Sequence, residues 1–315
     1  MDNVLLAINM NTSMLSVQTI HDHIGKFVSL PESCRSKNYT FELVAAINEV
    51  VADEIFTELR ASLFHTLIVD ESTDIAVHKV LVLYFKYRSP NSLVYKTVFG
   101  GIIQLTACHA QALEQAVKEF YNEHGIDLNR LVMLTSDGAS VMLGRWNGLA
   151  ALLKRSVPHL SEQRCVAHRE ELALYASWKD NSLLKKLDVL LRTVYTLFSR
   201  SSVKTAALAE LASEYEVDDL SFRPIQEVRW LSRHFAVSAF VRNIDALVLF
   251  CEEQINECSD PICTYVLRCI QYPQYLLGLY TLNDVLQELA NLSKALQRSA
   301  LSPIEARCEF LKFAN

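Results

Sequence analysis

Apolar residues in the first half of the chain change their spacing, and the change predicts where helix gives way to strand. Over 41–59 they recur at intervals of three and four, which is typical of a helix with one buried face. From residue 65 they form short unbroken runs, which are typical of buried strands. The first three predicted strands cover 65–70, 79–87 and 96–105. Short links between them predict an antiparallel meander, and Gly100 and Gly101 predict a bulge or close packing inside the third strand.

A helical pattern over 110–124 separates these strands from a fourth apolar run at 131–136. Because a helix of this length makes a crossover, we expect the fourth strand to lie parallel to the first. A helix at 141–155 and a short strand at 162–166 follow, and beyond residue 169 the pattern is almost entirely helical. The predicted helices there cover 169–178, 182–200, 203–216, 233–257, 260–270 and 281–298. The order β-β-β-α-β-α-β within one sheet indicates an α/β or α+β fold.

The composition is that of a folded globular protein, since 50% of the 315 residues are hydrophobic and 21% are charged. The formal net charge is −6, whereas an independent nucleic-acid-binding domain is usually basic, so contact with DNA would have to use local patches. The eight cysteines include no CxxC pair, and we expect reduced thiols. No apolar stretch reaches ~18 residues, so we expect no membrane span and no membrane partner.

Two of the predicted strands end on an aspartate. Asp70 closes the run His65–Asp70, and Asp137 follows directly on 131–136. If the two strands are neighbours, the two carboxylates lie close together and could hold Mg²⁺ against a phosphodiester. The alternative is that each carboxylate caps the helix that follows it, and Asp137 stands just before a Gly-Ala-Ser turn where such caps are common. The residues alone leave both interpretations open.

Four short blocks, taken in order, resemble those of hAT-superfamily (hobo–Activator type) transposases and their domesticated vertebrate descendants. Residues 67–74 (LIVDESTD) are similar to the first acid block and 135–142 (TSDGASVM) to the second. Residues 164–169 (RCVAHR) resemble the CxxH block, and 229–232 (RWLS) resemble the Arg-Trp motif of the inserted helical domain. The resemblance is to the groups with BED-type fingers, TTF-type zinc fingers and SUMO-ligase-like relatives. It implies an α/β fold with an RNase H-like mixed sheet, interrupted by an all-helical insertion.

On this basis we expect three segments: an N-terminal lead at 1–35, an RNase H-like core with its leading helix at 36–205, and a truncated helical insertion at 206–315. The resemblance implies that Asp70 and Asp137 are the first two acids of a DDE triad and the ligands of any Mg²⁺. No other cofactor is expected.

The remaining blocks imply supporting roles. Cys165 and His168 match the CxxH pair, which we interpret as structural because one such pair cannot close a tetrahedral zinc site. Arg229 and Trp230 match the nucleic-acid-binding motif, in which the tryptophan stacks on an unstacked base. The alternative for Trp230 is an ordinary core position on a helix.

Several departures from the family pattern indicate lost activity. The third acid of the family is a glutamate that follows the insertion, and the glutamates near the end of this chain fall in helices that match the insertion itself. These are Glu288, Glu305 and Glu309. We also expect the BED finger and the C-terminal dimerisation segment to be missing. Glu170 and Glu171, which follow the CxxH block, would repel a phosphate backbone.

We therefore predict a domesticated, catalytically inactive transposase-like protein that acts in the nucleus by binding DNA, chromatin or a protein partner. The protein partner would use the helical region, where five apolar residues form a seam of the kind that pairs helices, and the oligomeric state stays open. The seam comprises Leu282, Val285, Leu289, Leu292 and Leu296. The alternative function is a residual Mg-dependent nuclease or strand-transfer enzyme that uses Asp70 and Asp137. No residue supplies a mechanism for SUMO-ligase-like activity.

Overall fold

The computed structural model describes residues 2–29, 36–74, 76–92, 94–213, 221–225, 232–298 and 303–314. Its contacts divide the chain into two compact units, Met1–Gln163 and Arg164–Asn315. The sequence placed the boundary after residue 205 instead. The two divisions differ because the helices between 166 and 199 bury their apolar residues, such as Leu187 and Val194, in the core of the second unit.

The first unit, the sheet unit, contains helices on either side of a strand meander and a fourth and fifth strand after it. Its helices are α1 (Asp2–Asn9), α2 (Ser16–Ile24), α3 (Lys37–Ala61), α4 (Ala110–Glu123), α5 (Ser140–Leu143) and α6 (Leu149–Ser156). Its strands are β1 (His65–Thr73), β2 (Lys79–Arg88), β3 (Tyr95–Gln104), β4 (Leu131–Ser136) and β5 (Ser161–Arg164). The predicted helix 141–155 is two helices, because the chain turns over 144–148.

The five strands form one mixed sheet in the order β3-β2-β1-β4-β5. Strand β1 pairs antiparallel with β2, and β2 pairs antiparallel with β3, so the predicted meander is confirmed. Strand β1 also pairs with β4 in parallel, as the crossover through α4 predicted. The sheet is therefore assembled around β1, which lies between a hairpin partner and a strand more than sixty residues away.

One face of the sheet carries the core, and the alternation of side chains along each strand decides which residues enter it. Leu67, Leu83 and Leu134 point to this face and are fully buried against α3, α4 and α6. His65 is buried there as well, with Nε2 3.0 Å from the Tyr121 hydroxyl. Burial lowers the pKa of His65 to about 4, so its ring is neutral at physiological pH.

The opposite face, which we call the outer face, remains largely exposed. It carries aromatic and aliphatic side chains from β2 and β3 that neighbour one another across the strands, with the Tyr84 and Phe99 rings 5.5 Å apart. The outer face comprises Ile68, Asp70, Val82, Tyr84, Phe99 and Ile102.

Gly100 is the extra residue of a β-bulge. Tyr84 pairs with Phe99 and Leu83 pairs with Gly101, so Gly100 has no partner on β2. A methyl group at Gly100 would stand 2.6 Å from Cδ2 of the buried Phe85, and closer still to its Cε2. Both predictions for this position, a bulge and close packing, are confirmed.

The second unit, the helical unit, contains eight helices in the ranges that the structure describes. They are α7 (Val166–Lys179), α8 (Ser182–Ser199), α9 (Ser202–Ser213), α10 (Ser232–Arg242), α11 (Ile244–Cys258), α12 (Pro261–Gln271), α13 (Pro273–Leu296) and α14 (Pro303–Ala314). Their shared core is aliphatic and aromatic, with Leu190, Phe240, Phe250, Val266 and Leu279 among its buried members.

Two predicted helices have different bounds. The predicted helix 233–257 is broken at Asn243 into α10 and α11, which meet at a 67° bend. The predicted helix 281–298 begins earlier, at Pro273, where proline suits the first turn of a helix. No single helix in the described ranges is long and apolar enough to span a membrane. The bent pair α10 and α11 reaches that length and apolar content only when the two helices are taken together.

Candidate functional site

The register between β1 and β4 brings Asp70 and Asp137 to the same level of the sheet. Ile68 is paired with Thr135, and each aspartate lies two residues further along its own strand. Residues two apart on a strand point to the same face, and neighbouring strands lie about 4.8 Å apart. The two aspartates therefore stand at the same level on adjacent parallel strands, as the crossover topology predicted. Asp137 directly follows the last residue of β4, whereas β1 continues to Thr73, so Asp70 lies within its strand and not at the predicted end.

Asp70 lies on the outer face, exposed, opposite Val82 of β2. The next residue, Glu71, points to the other face because side chains alternate along a strand. There Glu71 lies 3.9 Å from the ammonium of Lys79 and is hydrogen-bonded to the Cys108 thiol, which raises the pKa of that thiol. Glu71 is therefore directed away from the acid pair although it follows Asp70 in the sequence.

Asp137 is half-buried at the point where the chain leaves β4. Its Oδ1 accepts a hydrogen bond of 2.9 Å from the backbone N–H of Ala139, which closes a local turn before α5. Gly138 within that turn has φ 93°, a conformation that favours glycine. One carboxylate oxygen thus stabilises the turn, in the manner of the capping alternative, while Oδ2 has no partner within the described ranges.

A third ligand near the pair is not evident. Within the part of the chain that the structure describes, no group of three or more His, Cys, Asp or Glu side chains is arranged to hold a metal ion. Asp74 follows the last residue of β1, but its two oxygens bind the backbone N–H and the Nδ1 of His78 in the β1–β2 turn. The donor set that the geometry supports is two carboxylates, one of which already accepts a backbone hydrogen bond.

The CxxH pair belongs to the helical unit. Cys165 is the N-cap residue of α7 and makes no capping hydrogen bond, and His168 lies in the first turn of the same helix. Residues three apart lie on one face of a helix, so the two half-buried side chains share a face at the start of α7. The structural role of the Cys165–His168 pair stays a prediction.

Arg229 and Trp230 lie outside the described residues. What can be described is the start of the helix that follows them. Arg233 of α10 is buried, with Nη2 3.4 Å from Oδ2 of Asp188 on α8 and its guanidinium 5.2 Å from the centre of the Trp178 ring on α7. This buried cation ties α10 to two other helices, and the block pattern of the sequence gave no signal for it.

A family model matches the sheet-forming part of the chain. Residues 15–148 match the family DUF4371, described as ZMYM1/FAM200, RNase-like domain. The matched segment runs from α2 to the turn before α6, and it contains both aspartates of the acid pair.

Together with the sheet order, this match confirms the predicted fold class, a mixed α/β protein with an RNase H-like sheet. It also fits an origin in a domesticated transposase-like family, which is the coarser part of the predicted resemblance.

Proposed function

We propose that this chain is a domesticated hAT-type transposase-like protein that acts in the nucleus by binding nucleic acid and does not cleave it. The acid pair is the observation that carries the proposal. The sheet register retains two aspartates side by side, but Asp137 is engaged in its own turn and Glu71 points to the other face. Two-metal catalysis of phosphodiester chemistry needs ligands that fix both ions, and this donor set does not fit it.

Nucleic acid is preferred to helix pairing as the binding mode because the predicted seam on α13 is largely used inside the chain. Leu282 and Leu292 are buried, Leu282 belongs to the core of the helical unit, and Leu289 packs against that core. Val285 is the exposed member of the seam. A seam that already stabilises its own unit is a poor surface for a protein partner.

The proposal is tested with the purified chain and fluorescent single-stranded and duplex DNA in Mg²⁺ or Mn²⁺. We expect saturable binding by fluorescence anisotropy and no cleavage on denaturing gels. The matched variants are Asp70→Asn and Asp137→Asn, which remove charge and keep shape. Cleavage that requires the metal and disappears in both variants would establish an active enzyme instead. Nuclear residence is tested separately by imaging the tagged chain in cells.

The alternative, a residual metal-dependent nuclease, is favoured by one observation, the side-by-side register of Asp70 and Asp137. If the pair binds a divalent ion, millimolar Mn²⁺ should raise the melting temperature through mass action on the folded state. Asp70→Asn should abolish that rise. Equal melting temperatures with and without the ion would remove this alternative.

A further inference from the structure

The helical unit contains a groove of about 450 Å³ that belongs to none of the sequence blocks. It is formed where α8 begins, α12 ends and α13 begins. Polar and aromatic side chains line it in place of a purely apolar wall. The side chains that give the groove its chemical character are Lys186, Tyr265, Arg268, Cys269, Tyr272 and Tyr275.

The groove is positively charged. Lys186 and Arg268 both line it and are exposed, and neither has a carboxylate partner within the described ranges. Arg268 is the only charged residue on α12, and α13 carries no acid before Asp284. The positive ends of the α8 and α13 dipoles also lie at the groove, and the negative end of the α12 dipole offsets one of them. An anionic ligand would therefore gain charge interactions without displacing an internal ion pair.

The groove also presents aromatic surfaces. Tyr272 is 52% exposed, and its ring meets that of Tyr275 edge to face with centroids 5.9 Å apart. Tyr265, on α12, also lines the groove and is 38% exposed. A flat ring that is held in place and open to solvent on one side is a surface on which a base can stack.

We propose that this groove binds a single-stranded nucleic acid, with Lys186 and Arg268 on its phosphates and Tyr272 and Tyr265 stacked on its bases. The inference rests on the nucleic-acid binding proposed above and assigns it a place. An acidic peptide would use the two cations but would leave the aromatic surfaces without a function, so the combination favours nucleic acid.

The stacking half of the proposal is tested by anisotropy with the full chain and a short fluorescent oligothymidylate. Removing an aromatic ring on which a base stacks weakens binding by about fivefold to about 150-fold. Tyr272→Ala should therefore raise the Kd within that range. Tyr272→Phe keeps the ring and should bind like the natural chain. The matched control is Tyr280→Ala, which removes a similarly exposed tyrosine (45%) from α13 outside the groove and should change nothing.

The charge half is tested by salt dependence. Each lost phosphate contact to a single strand reduces the slope of log K against log salt by about 0.7. Arg268→Gln should lower the slope by that amount, whereas Lys294→Gln, on α13 but outside the groove, should leave it unchanged. Melting curves recorded by circular dichroism establish that all variants fold.

The outcomes separate the two proposals. If the chain binds oligothymidylate and the groove variants bind equally well, the groove is not the site, while nucleic-acid binding stands. If polyglutamate competes as well as DNA and Tyr272→Ala has no effect, the groove is a site for acidic peptides and the inference fails. If the natural chain binds no nucleic acid at all, both proposals fail together.

Discussion

Replacing Gly100 by alanine tests the packing of the sheet directly. The added methyl group would lie 2.6 Å from Cδ2 of Phe85 and 3.3 Å from the carbonyl oxygen of Leu83. Phe85 is fully buried, and its ring is enclosed by those of His65, Tyr121 and Phe120 at centroid distances of 5.8, 5.9 and 6.2 Å. Moving the ring away from an added methyl group would therefore displace these buried neighbours.

The magnitude follows from two opposing effects on the free energy of unfolding. Overpacking of a filled core costs about 1–3 kcal/mol, whereas replacing glycine by alanine favours folding by about 0.4–1 kcal/mol through the unfolded state. The steric clash outweighs the gain from the unfolded state, so Gly100→Ala should lower the free energy of unfolding by about 1–2 kcal/mol.

The assay is urea unfolding followed by far-ultraviolet circular dichroism, with hydrogen exchange to assign the loss to β2 and β3. Phe85→Leu removes the ring atoms that the methyl group would meet, so in that background Gly100→Ala should be close to neutral. An undiminished effect in the Phe85→Leu background, or a raised unfolding midpoint in the single variant, would refute this packing of Phe85 against the bulge.

Three further predictions concern buried or paired charges. Burial lowers the pKa of His65 to about 4, so as pH falls from about 6.5 to 4 the unfolded chain takes up a proton that the folded chain does not. The free energy of unfolding should therefore drop by about 3 kcal/mol over that window. In His65→Phe, urea midpoints should change less with pH. Asp260 caps α12 and accepts a 2.7 Å hydrogen bond from Lys204, so Asp260→Ala should lower stability by about 2 kcal/mol in thermal melts. Asp260→Asn should lose less, and equal losses in the two variants would show that the charge of Asp260 contributes nothing. Glu58 lies 2.8 Å from the Lys96 ammonium, so Glu58→Gln should lower the free energy of unfolding in urea by about 1 kcal/mol at low salt and by less in molar salt. A loss that does not depend on salt would contradict an ionic origin.

The strands could be predicted because their apolar runs are short and bounded, and because crossover geometry leaves little freedom in how β4 meets β1. The same regularity predicted that Asp70 and Asp137 would lie on neighbouring strands. The direction of Glu71 also follows from strand alternation, once the buried face is known.

Other features could not be predicted because they depend on contacts between distant segments. The break at Asn243 carries no proline or glycine, and apolar residues continue on both sides of it. The break becomes intelligible only from the structure, where the Asn243 side chain is fully buried and donates to the carbonyl of Ala239 at 2.7 Å. The groove is formed by three helices, although the spacing of Tyr265, Arg268 and Tyr272 at three and four residues was a local signal for one of its walls.

The two edges of the sheet have different consequences for handling this protein. Strand β5 is four residues long and wholly polar, so it offers a second molecule little to pair with. Strand β3 is ten residues long and exposes Tyr95, Phe99 and Ile102, which makes it a template for strand addition. Self-association during concentration or warming should therefore begin at β3, and a lysine in place of Ile102 is the change that would improve solubility while leaving the core face untouched.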